Sequence, residues 1–308
     1  MRILVYGAGA MGLYFSARLA QAGHDVVLKS RSTTRDAEIR LNSAGRQESV
    51  TGVRVISELS GPLKVDAALI ATKAWQVEEA LGDLQGKIDD ATALVTLQNG
   101  VDAPEVARRM FPNCPVVATT CVVIVKRTAP LALELVGREA SLSAGLFDAV
   151  GTDSGIAEQV VSALNDSSIT ATLVKDVHRA LWKKIALIAS YGGVGAVSGA
   201  TVGVTRTHPE TRSMVLEGIT ECASVAHACG VEFSAEDIEE VFAVYTDTFD
   251  PSTTSSMQRD LLAGLPSELA DQNGAIIARA EQVGVPTPTH SFILRSQLPR
   301  ERQARSIQ

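Results

Sequence analysis

Cysteine is scarce in this chain: Cys114, Cys121, Cys222 and Cys229 are the four among 308 residues. They show neither C-x-x-C spacing nor a histidine partner at metal-ligand distance, so no disulfide framework and no metal site are expected. Reduced thiols of this kind fit a cytoplasmic protein. Aromatic residues are also few, at 4%, which leans the expected core towards aliphatic side chains, as in buried parallel sheets. Positive charge is in deficit. A formal net charge of -7 leaves no basic footprint for a phosphate backbone, and nucleic acid is excluded as a partner. Long uninterrupted apolar runs are missing as well. Residues 3–15 are broken by glycines and closely followed by Arg18, which fits an export signal poorly. Residues 185–205 carry no charge, but Gly192, Gly193, Gly195, Gly199 and Gly203 dilute their apolarity, so a buried helix is expected and a membrane span is not. The histidines, His24, His178, His208, His227 and His290, are scattered, and no Ser-His-Asp or Cys-His nucleophile arrangement can be assembled from them.

What is present is a chain long enough for two hydrophobic cores, with 45% hydrophobic residues. Residues 2–6 read as a strand, followed by a glycine turn and a helical pattern over 11–22. A strand at 25–28 follows, and apolar runs at 67–71 and 93–97 alternate with helical stretches at 76–84 and 103–110. This order predicts an α/β domain, a Rossmann-type doubly wound parallel sheet. Strand-like pieces at 116–125, 131–136 and 140–143 are expected to extend one edge, with a helix near 155–164 and a strand near 170–174. Beyond residue 174 the pattern is continuously helical, over 177–203, 209–229, 235–246 and 267–282. The expected division is a cofactor-binding domain at 1–174 and an all-helical substrate and catalytic domain at 175–308. Residues 300–308 read as a polar, poorly ordered end.

The motif Gly7-Ala8-Gly9-Ala10-Met11-Gly12 is a G-x-G-x-x-G placed between a strand and a helix. Gly7 makes the tight turn, Gly9 lets a pyrophosphate approach the backbone, and Gly12 lets helix and strand pack closely. The helix N-terminus offers N–H groups and a positive dipole end to the phosphates. Where NAD enzymes place an acid on the ribose, this chain has Lys29-Ser30-Arg31. Arg31 can pair with a 2′-phosphate through its planar donors, so NADPH/NADP is the expected cofactor; otherwise Arg31 is a solvated loop residue.

Several further segments resemble the ketopantoate reductases (2-dehydropantoate 2-reductases). They are Ala71-Thr72-Lys73-Ala74-Trp75-Gln76-Val77, Leu97-Gln98-Asn99-Gly100, Leu181-Trp182-Lys183-Lys184-Ile185, Ser255-Ser256-Met257, Ser267-Glu268 and Asn273-Gly274. The resemblance spans nearly the whole chain. It implies reduction of a 2-oxo acid to the 2-hydroxy acid by NADPH, with Lys184 as general acid. It also implies Glu268 on a substrate hydroxyl and near the cofactor, Ser256 on the substrate carboxylate, Asn99 near nicotinamide and substrate, and Lys73 on the cofactor side. A lysine suits the chemistry, because an ammonium stabilises and protonates the oxygen that becomes negative as hydride arrives. Taken alone, each residue also has an ordinary explanation: a solvated or helix-start lysine for Lys184, a first-turn acid for Glu268, a helix cap for Ser256, a turn residue for Asn99 and Lys73.

The chain departs from the family where asparagines follow the catalytic lysine by one and two turns; here stand Ile188 and Gly192. The acid two residues after the matched glutamate is replaced by Ala270. These changes predict a roomier, greasier pocket and a substrate that is 2-dehydropantoate or a bulkier 2-oxo acid, with Ser190 or Tyr191 as possible replacement hydroxyls. Two other readings stay open, a β-hydroxyacid-type dehydrogenase and a catalytically silent NADPH-binding sensor. The expected site is a cleft between the domains. The partner is a small molecule, and the long apolar helices would permit a homodimer.

Overall fold

The structure, a computed structural model, describes residues 1–32, 38–148 and 155–306. The chain divides into two compact units, one of Met1–Gln98 with Ala103–Val177, the other of Asn99–Asp102 with His178–Gln308.

The first unit opens with β1 (Arg2–Tyr6), α1 (Ala10–Gln21) and β2 (Asp25–Lys29). There follow β3 (Ile39–Ser43), β4 (Arg46–Val50), β5 (Val53–Ile56), β6 (Ala67–Ile70), α2 (Val77–Leu84), β7 (Ala93–Thr96) and α3 (Asp102–Met110). Then come β8 (Val116–Val122), β9 (Val125–Ala129), β10 (Ala132–Leu135), β11 (Ser141–Leu146), α4 (Gly155–Asp166) and β12 (Thr170–Leu173). Eight strands make one sheet, in the order β12-β11-β8-β7-β6-β1-β2-β5. The six from β5 to β8 are parallel, and β11 with β12 runs against them. Central strands read as unbroken apolar runs because both faces are covered: all four residues of β6 and of β7 are buried. Strand order reverses beside β1, where β2 lies on one side and β6 on the other. A crevice opens outside the carboxyl ends of strands at such a switch point.

Two expectations fail here. The piece expected at 131–136 does not extend the sheet edge; β10, with β9, pairs with β3 and β4 in a separate four-stranded sheet, ordered β4-β3-β10-β9. Helix α1 is held between the two sheets, touching β1, β2 and β5 as well as β3, β4, β9 and β10. This is why Gly12 to Leu19 are buried without a break, Arg18 included. Its guanidinium is neutralised by Glu48 at 2.8 Å and Glu139 at 2.5 Å. Tyr14 adds a hydrogen bond to Glu139 at 2.7 Å.

The second unit holds α5 (Val177–Ser198), α6 (Val202–Thr207), α7 (Pro209–Ala228), α8 (Ala235–Ala243), α9 (Ser256–Leu262), α10 (Ala275–Val283) and α11 (Pro288–Ser306). Two π-helical turns, Val244–Thr248 and Ala270–Gly274, interrupt the helical pattern. The glycines of α5 receive neighbouring side chains. A Cβ on Gly193 would fall 2.8 Å from Ile293, and one on Gly195 would fall 2.5 Å from Gln258 Oε1. The expected poorly ordered tail is the other failure, since residues 300–306 complete α11 and bury Glu301 and Ala304. No helix among the described residues is long and apolar enough to cross a membrane.

Candidate active site

At the switch point of the first unit lies a cavity of ≈ 470 Å³, lined by Gly7, Ala8 and Gly9 after β1, by Lys29 to Ser32 after β2, and by Ala71 and Thr72 after β6. Gln76, Glu79 and Arg127 complete much of its wall. Gly7 adopts φ +112°, and a Cβ there would press to 3.1 Å on the Ala71 backbone. Gly12 is stricter still. Its Cβ would lie 1.7 Å from the Gly7 carbonyl oxygen, so the residue permits the first turn of α1 to fold over the loop itself, with Ala71 only a secondary neighbour at 3.4 Å. Gly9 is the N-cap of α1 and makes no side-chain cap, and no atom lies within 4 Å of the place its Cβ would take. Ala10 and Met11 form the uncapped first turn behind it, whose N–H groups lack intrahelical partners.

This wall fits a pyridine dinucleotide. The Thr72 hydroxyl is buried without a hydrogen-bond partner, a polar atom that a ligand group would satisfy. Lys29 and Arg31, the cations singled out in the sequence, border the cavity, with Lys29 Nζ 5.4 Å from the Tyr6 ring centroid. Arg127, from β9 of the small sheet, is a third cation on this wall. No sequence signal marked it, because a long-range strand pairing brings it there. Lys73 follows Thr72 but is exposed, with Nζ 5.6 Å from the Trp75 ring centroid, and the lining passes from Thr72 to Gln76.

In the second unit, four segments carry the residues singled out for the substrate. Lys184 lies two turns into α5 rather than at its start, half-buried, on a face shared with the half-buried Leu187 and Ile188. Lys183 faces elsewhere. It pairs with Asp237 at 2.8 Å and with Glu240. Ser256 is the first residue of α9, but the cap is Ser255, whose hydroxyl accepts from the Gln258 N–H at 3.0 Å. The pattern Ser255-x-x-Gln258 held that signal. Glu268 is buried, just ahead of the π-helical turn Ala270–Gly274, and so is not the exposed first-turn acid of a regular helix. Asn99 is half-buried beside Gly100.

Direct contacts tie these segments together. Asn273 donates to the Ala189 carbonyl of α5 at 3.2 Å. Ser255 occupies the space beside Gly192, its Oγ 2.5 Å from where a Cβ would be. Gly100 approaches the Asp271 carbonyl, 3.2 Å from its own would-be Cβ. The expected roominess at Gly192 is therefore corrected: Ser255 fills the volume a side chain there would need. Ser190 is fully buried against Gly218, and Tyr191 is buried on Phe249 with ring centroids 5.0 Å apart. Asp271 was not foreseen. Burial and the nearby Glu268 push its carboxyl up to about 6, against the pull of Arg305, and its Oδ2 is buried without a partner.

Comparison with known proteins agrees in both halves. Residues 3–149 match the family model for ketopantoate reductase PanE/ApbA, and residues 176–297 match the model for its C-terminal part. The 2-dehydropantoate 2-reductase of Vibrio cholerae serotype O1 is 28% identical over 297 residues, covering 95% of each chain. Among solved structures, the PanE/ApbA family ketopantoate reductase of Ralstonia eutropha JMP134 superposes with a TM-score of 0.86 at 24% identity, covering 99% of this chain and 100% of that one. D-mandelate dehydrogenase in a ternary complex with NADH and anilino(oxo)acetate does so with a TM-score of 0.87 at 24% identity, over 99% of each chain. With both halves matched in order, the chain belongs to the ketopantoate reductase family, oxidoreductases that act on a CH–OH group.

Proposed function

We propose that the protein reduces a 2-oxo acid to its 2-hydroxy acid with NADPH, and that the acid is 2-dehydropantoate or a relative with an apolar substituent. The observation that supports the cofactor choice is the cavity wall, where the Gly7–Gly9 loop would face a pyrophosphate and Lys29, Arg31 and Arg127 supply three positive charges against the one acid among the described residues there, Glu79. An acid on the ribose would repel a 2′-phosphate; these cations attract it.

Bound NADPH supplies the hydride. The Lys184 ammonium donates a hydrogen bond to the substrate carbonyl oxygen, stabilises the charge that grows there, and transfers its proton to leave the hydroxyl. Ser256 donates its hydroxyl to the substrate carboxylate, and Asn99 orients the carbonyl group. Glu268 accepts from a substrate hydroxyl and helps orient Lys184. Ile188, on the same half-exposed face of α5 as Lys184, gives an apolar wall where an amide would have favoured a polar substituent.

The test is nucleotide affinity by fluorescence titration. Arg31→Ala weakens NADPH by about ten- to a hundredfold, the worth of a lost hydrogen bond between charged groups, and leaves NADH nearly unchanged. Equal losses for both nucleotides would defeat the NADPH assignment.

A further inference from the structure

Residues 300–306, polar throughout apart from Ala304, include a buried carboxylate. Glu301 of α11 is 3% exposed and meets Ser267, which is fully buried. Its oxygens accept from the Ser267 N–H at 3.1 and 3.3 Å and from the Ser267 hydroxyl at 2.6 Å. Arg305, one turn further on, donates to Glu301 at 2.6 Å and to the Ser267 carbonyl at 3.0 Å. The Ser267 hydroxyl in turn accepts from the Leu269 N–H at 3.2 Å. The N–H, carbonyl and hydroxyl of Ser267 are thus all engaged, and Glu268 stands between the two residues so fixed. On its other side, Gln272 donates to the Glu268 carboxylate at 3.4 Å.

A buried carboxylate, here with its counter-charge at the surface, is a costly way to dock a helix, because apolar side chains of similar volume hold as well or better. Its directional bonds give something apolar packing does not, a defined backbone path for the turn they grip. We propose that Glu301 is a positioning residue for substrate binding: through Ser267, and with Arg305 as its counter-charge, it fixes the turn that aims the Glu268 carboxylate. This rests on the reading of Glu268 as a substrate contact. Misplacing a binding group by about 1 Å costs on the order of a hundredfold, so the clamp acts on affinity for the 2-oxo acid, while none of its residues lines the cavity of the first unit.

The experiment is a double-mutant cycle on the full chain, with kcat and KM for the 2-oxo acid, NADPH affinity and melting temperature measured for each variant. Glu301→Ala is expected to raise KM for the 2-oxo acid at least about tenfold, with NADPH affinity within twofold. Glu301→Gln, which keeps an acceptor for Ser267, recovers part of the loss. Combining Glu301→Ala with Glu268→Gln does no further harm beyond Glu268→Gln alone, because both remove one function. If Glu301→Ala does not fold, Ser267→Ala, which removes only the hydroxyl, replaces it in the cycle with the same expectation. Additive losses, or a fall in melting temperature with KM unmoved, overturn the positioning role while Glu268 stands. Normal kinetics in Glu268→Gln overturn the Glu268 reading, and the positioning role falls with it.

Discussion

Lys183 and Lys184 are adjacent in sequence, yet about 100° of helical rotation sends their side chains to different work. Lys183 serves stability. Burial opposes ionisation of Asp237, but hydrogen bonds from Lys183, the Ser234 N–H and Arg179 outweigh it and hold the carboxyl well below the usual range. Removing one of these cations leaves a buried charge short of a partner. Lys183→Met is therefore expected to lower unfolding stability by about 1–3 kcal/mol at neutral pH, while sparing turnover per folded molecule. Because the folded carboxyl is depressed, its contribution is present above the unfolded value of about 3.9 and is lost as pH falls through the folded one. The gap between variant and wild type should accordingly narrow below about pH 4 in urea titrations; a gap independent of pH would point away from Asp237. Single residues differed in how legible they were. Gly12 was readable as a close-packing glycine, although what it spares is chiefly the Gly7 carbonyl of its own loop rather than the neighbouring strand. Gly192 was misread because its missing side chain is replaced by Ser255, from a segment far along the chain.

Among elements, α5 shows what the glycines of a helix can do. Gln258 fits into the notch at Gly195 and donates to the carbonyls of Gly195 at 3.0 Å and Ala200 at 2.8 Å. Gly195→Ala would put a methyl 2.5 Å from Gln258 Oε1. The better helix propensity of alanine gives back about 1 kcal/mol, and displacing a buried glutamine costs more. A net loss of about 1–3 kcal/mol in urea unfolding is expected, and an unchanged or raised stability would show that Gln258 moves aside freely. Strongly periodic elements were readable in the sequence, including the first strand and helix and the long helices of the second unit. The small sheet was not, since its central pairing joins β3 to β10 across about ninety residues, and residue patterns report faces rather than partners. The last turns of α11 were missed for a related reason. Arginine and glutamate read as solvent-facing, and Glu301 is buried only because Ser267 waits for it.

For the molecule as a whole, the sequence made the α/β unit followed by a helical unit legible, and with it the family. On the proposed reading, a chain of net charge -7 would hold a polyanionic cofactor by local arrangement, with three cations and an uncapped helix start around one cavity, rather than by its overall field. What remained hidden were placements that cross long stretches of chain: Arg127 at the cavity wall, and Glu301 against Ser267 behind the turn that carries Glu268. The central claim is that Lys184 protonates a 2-oxo acid reduced by NADPH. Its most direct test is steady-state NADPH oxidation over 2-oxo acids of graded side-chain size, for the wild type and for folded Lys184→Ala. The account predicts turnover by the wild type on at least one such acid, and a loss of about 10²–10⁴-fold in the variant with NADPH affinity retained. Near-normal turnover in Lys184→Ala, or no turnover of any 2-oxo acid by the wild type, would contradict it.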